Sequence, residues 1–278
     1  MSVADCFDKQ YDSILIPGES QRTCTVCDAN AISPGGSISS ANCSCVAGYT
    51  GESHSCVPCA AGKYKTHIGA DACLDCSVDS QSPTASSTAT ACLCNVGFTG
   101  ENGDTCEMCA VGKYKDQSGP IECFSCPSNS NSPQQSAVIT ACACNAGYSG
   151  EDGSGCSECG AGTYQSVNST SNNCSLCADN SNSLPTSDSV LACLCNAGYS
   201  GMNGGNCSAC LAGTYKNNTG SSDCINCVAG QYSAEIGATS NVCINCVAGT
   251  FSNNVAANDI TTCQDCVAGS YTTYDTAI

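Results

Sequence analysis

Thirty-one cysteines in 278 residues dictate most of what this chain can fold into. That is about one residue in nine, above the density that marks a disulfide scaffold. The apolar alternative is closed off by composition. Leu, Ile, Val and Phe together number 39, about 14% of the chain, and there is no Trp. Below roughly 20%, apolar burial does not offset the entropy of ordering a chain. A single large enzyme-like core is therefore excluded. Glutathione and thioredoxin keep cytosolic thiols reduced, so the cysteines place the chain in the secretory pathway or outside the cell. Zinc is the rival explanation for paired cysteines, but structural zinc sites come in closed fours, often with histidine. Here the pairs run on at near-constant intervals, and only 2 histidines, His54 and His67, are present.

The cysteines define an internal repeat. The C-x-C pairs Cys43/Cys45, Cys92/Cys94, Cys142/Cys144 and Cys193/Cys195 recur every 49, 50 and 51 residues. Each leads into a Gly-aromatic turn ending at Tyr49, Phe98, Tyr148 or Tyr199, then a second glycine, then a C-x2-C pair (Cys56/Cys59, Cys106/Cys109, Cys156/Cys159, Cys207/Cys210). Directly after it stands Ala-Gly-x-Tyr or a close variant, ending at Tyr64, Tyr114, Tyr164 and Tyr215. A further C-x2-C pair (Cys73/Cys76, Cys123/Cys126, Cys174/Cys177) opens a Ser/Thr/Asn-rich loop that runs to the next C-x-C. Beyond Cys210 the C-x-C turn drops out, and C-x2-C half-repeats follow in series. The resulting division is a diverged first repeat over 1–56, repeats over 57–106, 107–156 and 157–207, and half-repeats over 208–278.

Eleven of the 15 aromatic residues occupy the two signature positions. Identical placement in each repeat predicts structural packing, with the ring covering a disulfide or the next repeat, rather than a ligand box. Gly, Asn, Ser and Asp punctuate the chain about every ten residues, and no window holds a 3.6-residue apolar period. The expected fold is small and disulfide-rich: tandem repeats in an elongated rod, short β-hairpins closed by disulfides, and almost no helix.

Six cysteines per repeat allow three bridges. At around 3 kcal/mol for each loop of about 15 residues, they supply near 9 kcal/mol, comparable with a whole domain's net stability. Two pairings use every cysteine. The nested scheme joins 59 to 76, 73 to 92 and 94 to 106; the sequential scheme joins 59 to 73, 76 to 92 and 94 to 106. Spacing alone does not choose between them. The odd cysteine left over is Cys266 under sequential pairing and Cys263 under nested pairing.

The stretch Cys106-Glu107-Met108-Cys109-Ala110-Val111-Gly112-Lys113-Tyr114, continuing through Cys123, Cys126, Pro127-Ser128-Asn129-Ser130 and Cys142-Ala143-Cys144, resembles the cysteine-rich, EGF-like region of ephrin receptors. More broadly it resembles ephrin-receptor-like and growth-factor-receptor cysteine-rich repeats, from Cys24 onward. The resemblance implies an extracellular module, and EGF-like pairing implies the nested scheme. It carries no particular ligand with it, and neither a kinase nor a membrane span is visible within these residues.

The net charge of −17 argues against nucleic acid and anionic membrane surfaces as partners. The repeated pairs Lys63/Lys65 and Lys113/Lys115 are expected on a solvated face. Acidic loops such as Glu101-Asn102-Gly103-Asp104 and Glu151-Asp152-Gly153 lack the ordered ligand series of a calcium loop, so weak calcium binding is the most they suggest, and no cofactor is expected. Sequons stand at Asn42, Asn168, Asn173, Asn206 and Asn217; in Asn42, Asn173 and Asn206 the middle residue is a cysteine expected to be bridged, which favours Asn168 and Asn217 for glycans. No nucleophile–base set appears, so no enzyme is expected. No secretory leader or membrane span is visible in this segment, whose longest aliphatic run is Ile14-Leu15-Ile16. An oxidised chain of this kind is expected to come from a trimmed or longer precursor. The sequence thus predicts a structural extracellular glycoprotein, a stalk, matrix fibre or filamentous appendage, with itself as partner. The alternative is a receptor or adhesion ectodomain that binds other extracellular proteins.

Overall fold

The structure, a computed structural model, describes residues 10–12, 24–53, 55–166 and 172–272. Two compact units are present, 1–126 with 131–142 and 127–130 with 143–278. Both are built from one element, a β-hairpin with two strands of only two or three residues, and each sheet among the described residues has two strands. Tyr49–Thr50 pairs with Val57–Pro58, Lys63–Tyr64 with Leu74–Asp75, and Phe98–Thr99 with Glu107–Met108, all antiparallel.

Such short strands cannot hold together through their ladders alone. Each is locked by a disulfide across its own loop: Cys45–Cys56, Cys59–Cys73, Cys76–Cys92 and Cys94–Cys106, with Cα–Cα distances of 5.5–5.7 Å. The same order continues through Cys109–Cys123, Cys126–Cys142 and Cys144–Cys156. In the next repeat the bridges are Cys159–Cys174, Cys177–Cys193 and Cys195–Cys207, and the half-repeats carry the order on to Cys246–Cys263.

The pairing is therefore sequential, and the nested scheme implied by the EGF-like resemblance is corrected. In the nested scheme Cys73 would bond Cys92, outside its hairpin; here Cys73 faces Cys59 and Cys92 faces Cys76. The same correction applies to Cys177. Nested pairing would send it back to Cys159, but Cys159 is taken by Cys174 across the hairpin Thr163–Tyr164/Ser175–Leu176, so Cys177 closes the following hairpin on Cys193. Among the described residues Cys266 alone carries a free thiol.

The strand entry follows from turn chemistry. Tyr49 N–H donates to the Val46 carbonyl at 3.1 Å and Lys63 N–H to Ala60 at 3.0 Å, closing turns whose third residue is left-handed. That residue is Gly48 (φ +84°) or Gly62 (φ +81°) in the aromatic hairpins, and Asp79, Asn129 or Asn180 (φ +59° to +62°) in the Ser/Asn-rich hairpins. Glycine reaches this backbone without penalty, and Asn and Asp are the side chains that tolerate it best. No α-helix occurs among the described residues. Single 3-10 turns, Ser40–Asn42, Ala89–Ala91, Ile139–Ala141, Val190–Ala192 and Ile260–Thr262, deliver the chain into the second cysteine of a bridge. The buried apolar side chains are mostly cysteine: Cys45, Cys59, Cys92, Cys94, Cys109 and Cys142 are buried to within 1% exposure, while Leu176 and Leu184 lie about 80% exposed.

Candidate functional site: the seams between hairpins

A hairpin that turns on a glycine joins the next one by a recurring hydrogen-bond pattern. The left-handed turn glycine of one hairpin donates its N–H to the carbonyl three residues after the turn residue of the next. Gly48 donates to Lys65 at 2.9 Å, Gly62 to Ser82 at 2.9 Å, Gly97 to Lys115 at 2.8 Å, Gly198 to Lys216 at 2.8 Å, Gly213 to Ser233 at 2.7 Å and Gly230 to Ser252 at 2.8 Å. A return bond runs from Cys59 N–H to the Gly48 carbonyl, and from Cys109 N–H to Gly97, both at 2.8 Å. The accepting strand then reaches onward, Lys65 N–H donating to the Ser86 carbonyl and Lys115 N–H to Ser136.

Outside the hairpins that follow directly on a C-x-C pair, the residue three past the turn is buried at Ser33, Lys65, Ser82, Lys115, Ser132, Gln165, Ser183, Lys216, Ser233 and Ser252. Its side chain is polar without exception. Ser82, Ser132 and Ser183 donate to the Lys63, Lys113 and Thr163 carbonyls of the preceding hairpin at 3.0, 2.9 and 2.8 Å. The lysines make the equivalent bond from a longer arm. Lys65 Nζ donates to the Tyr49 carbonyl at 2.8 Å, Lys115 Nζ to Phe98 at 2.6 Å and Lys216 Nζ to Tyr199 at 2.7 Å. Each adds a second bond to a glycine carbonyl four residues on, at Gly69, Gly119 and Gly220. Those glycines in turn donate to Cys45, Cys94 and Cys195 carbonyls at 2.8–2.9 Å.

The solvated-face expectation is thus wrong for Lys65 and Lys115, which have 0% exposure. It fails because sequence charge does not reveal backbone acceptors converging from another hairpin. Lys63 does lie at the surface, paired with Asp75. Burial pushes Lys65, Lys115 and Lys216 below the usual lysine range, with Asp71 and Asp223 opposing this for Lys65 and Lys216. Three buried cations held by carbonyls rather than carboxylates are orienting clamps, since desolvation leaves little net gain from burying a charge. Sequence reasoning missed Lys216 and the buried serines. The legible signal was Lys-x3-Gly at 65/69, 115/119 and 216/220 and the recurring Ser at 33, 82, 132 and 183.

The glycines of the turns after the C-x-C pairs, Gly48, Gly97, Gly147 and Gly198, mark where backbones touch. A Cβ at Gly97 would stand 2.6 Å from the Gln135 carbonyl oxygen and one at Gly48 2.4 Å from that of Ala85. The aromatic residues take graded positions. Phe98 is buried, and Tyr49, Tyr64, Tyr114, Tyr148, Tyr164, Tyr199 and Tyr215 are half-buried, whereas Tyr271 is exposed. Tyr114 meets Phe124, its cross-strand partner, at 5.8 Å between ring centres. Tyr49, Phe98 and Tyr199 also contribute their carbonyls to the lysine clamps.

Among the sequons, Asn42, Asn173, Asn206 and Asn217 are exposed, and Asn168 lies outside the described residues, as does His54. Cys43 and Cys207, the middle residues at Asn42 and Asn206, are bridged to Cys27 and Cys195, and Cys174 at Asn173 is bridged to Cys159. No cluster of three metal-ligating side chains and no helix long and apolar enough to cross a membrane occurs among the described residues.

Bridged hairpins repeated on one hydrogen-bond rule define a disulfide-rich tandem cysteine-rich repeat protein. Residues 97–142 and 198–242 match the family described as tyrosine-protein kinase ephrin type A/B receptor-like. The chain carries ephrin-receptor-like cysteine-rich repeats, and each match begins at a Gly-aromatic turn and spans one lysine clamp, Lys115 or Lys216. The matched family is a receptor-like extracellular repeat, not a catalytic domain, and with the disulfides it points to an extracellular or cell-surface location. No curated protein matches the chain.

Proposed function

We propose that the chain is a structural extracellular module, a load-bearing segment of a stalk, matrix fibre or filamentous surface appendage that assembles with copies of itself. The observation carrying this reading is the sequential bridging. Each disulfide closes its own hairpin, so pulling on the chain cannot release the 14-, 16- and 12-residue spans enclosed in one repeat. Tension falls instead on the seams, where the same backbone bonds and buried clamps recur. The work of this arrangement is to hold spacing.

A receptor or adhesion ectodomain is the second reading, favoured by the ephrin-receptor-like match. Electron microscopy of the purified native material separates the two. Regular fibres support the structural reading, whereas discrete monomers that bind a protein ligand with saturable affinity overturn it.

A further inference from the structure

The same groove forms at equivalent places in two repeats. In the first it is lined by Ile32, Ser33, Pro34, Ser44 and Ile68. In the later repeat Asn182, Ser183, Leu184, Leu194 and Thr219 take those places, around a space of about 390 Å³. The difference lies in what each repeat supplies from the lysine-clamped loop. The first provides the aliphatic Ile68, three residues after Lys65. The second provides Thr219, three residues after Lys216, and leaves Leu184 80% exposed. Thr219 is also the hydroxyl residue of the sequon Asn217-Asn218-Thr219.

We infer that Asn217 carries an N-linked glycan whose first sugar lies over the Leu184/Leu194 groove. Asn217 is exposed, and its loop is held from beneath by Lys216 and by Gly220 N–H on the Cys195 carbonyl. At Asn42, Asn173 and Asn206 the sequon runs through a bridged cysteine, and its third residue, Ser44, Ser175 or Ser208, is committed to a hairpin strand. Folding consumes those sequons, whereas Thr219 sits outside any strand. The donor is a lipid-pyrophosphate-linked oligosaccharide. The Asn217 side-chain nitrogen bonds to the anomeric carbon of its first N-acetylglucosamine, the carbon–phosphate-oxygen bond breaks, the amide proton goes to the transferase base, and the lipid pyrophosphate leaves. The N-acetyl and ring C–H faces of that sugar match an apolar groove rimmed by the exposed side-chain amide of Asn182.

This rests on the extracellular part of the proposed function but not on assembly. The test uses the full chain secreted from a eukaryotic host. Amidase release of glycans in ¹⁸O-water should convert Asn217 to labelled Asp, with Thr219→Ala abolishing the label and Thr219→Ser retaining it. Hydroxyl-radical footprinting should show Leu184 and Leu194 at least three-fold more reactive after glycan removal, while Leu176 is unchanged. An unlabelled Asn217 overturns the site, and equal reactivity before and after release overturns the groove contact. Fibres or monomers in either case leave the glycan result standing as an independent outcome.

Discussion

Where a Gly-Tyr hairpin follows a C-x-C hairpin, the buried seam residue is Lys65, Lys115 or Lys216, with Gln165 the exception; where one Gly-aromatic hairpin follows another, it is Ser233 or Ser252. Both positions accept the same backbone bond from the preceding turn glycine. The difference is reach. Lysine spans from its own loop, at Gly69, Gly119 or Gly220, to a carbonyl of the hairpin before it. Ser233 and Ser252 tie down only their own loops, accepting the Glu235 and Asn254 amides at 3.2 and 3.3 Å. The backbone bond is thus the constant part of a seam and the side chain the variable part. Lysine seams carry a second, side-chain tie between hairpins that those serine seams lack.

The largest effect expected from this arrangement is mechanical and separates bridges from seams. Pulled with disulfides intact, one repeat between Cys59 and Cys109 should extend to at most about 45 Å; after reduction the same repeat should reach about 170 Å, at roughly 3.4 Å per residue. Single-molecule force spectroscopy with and without reductant reads both values. An oxidised extension near the reduced one would mean that the bridges do not enclose the hairpins.

Next in size is the contrast between seams. Lys115→Met strands the Phe98 and Gly119 carbonyls and should cost about 2–4 kcal/mol, whereas Ser233→Ala should cost about 1 kcal/mol. Lys113→Met, at the exposed neighbouring lysine, should fall within about 0.5 kcal/mol. Denaturant melts combined with hydrogen exchange at the Gly97 and Cys109 amides locate the loss at the seam. Equal effects for Lys113 and Lys115 would remove the clamp from the account.

Two glycines with nearly equal backbone angles sharpen the point further. Gly97→Ala meets the Gln135 carbonyl at 2.6 Å and should cost about 3 kcal/mol, while Gly62→Ala finds nothing within 4 Å and should cost only the left-handed penalty of about 1–2 kcal/mol. The same melts check both.

The smallest effect is electrostatic. Because burial holds the folded Lys115 below 10.5, the unfolded chain binds more protons in the window between its folded value and 10.5. Stability from this group therefore rises as pH climbs through that window and is flat below it. A melt series to pH 10.5 in Cys266→Ser protein, which removes thiolate exchange, should show the rise, and Lys115→Met should diminish it.

The periodicity of cysteine, the Gly-aromatic turns and the near absence of helix were legible because each is a local property, recorded at one place in the chain. Cys45–Cys56 and its hairpin follow from spacing and turn residues alone. The buried polar column was not legible in the same way. Lys115 reads as a surface residue until the carbonyls of Phe98 and Gly119 are brought to it, and those lie on either side of it in sequence. Pairing was ambiguous for a related reason. Cysteines standing three apart, such as Cys73 and Cys76 or Cys174 and Cys177, lie close enough that spacing accommodates either partner. Only the hairpin register fixes Cys73 on Cys59, and Cys174 on Cys159 with Cys177 left for Cys193.

Peptide mapping of the unreduced protein tests the central claim directly, that each hairpin is closed by its own bridge before it is joined to the next. Proteolysis at low pH, where exchange is suppressed, should yield Cys59–Cys73, Cys76–Cys92 and Cys94–Cys106 as linked pairs. Recovery of Cys59 linked to Cys76, or Cys73 linked to Cys92, would contradict it.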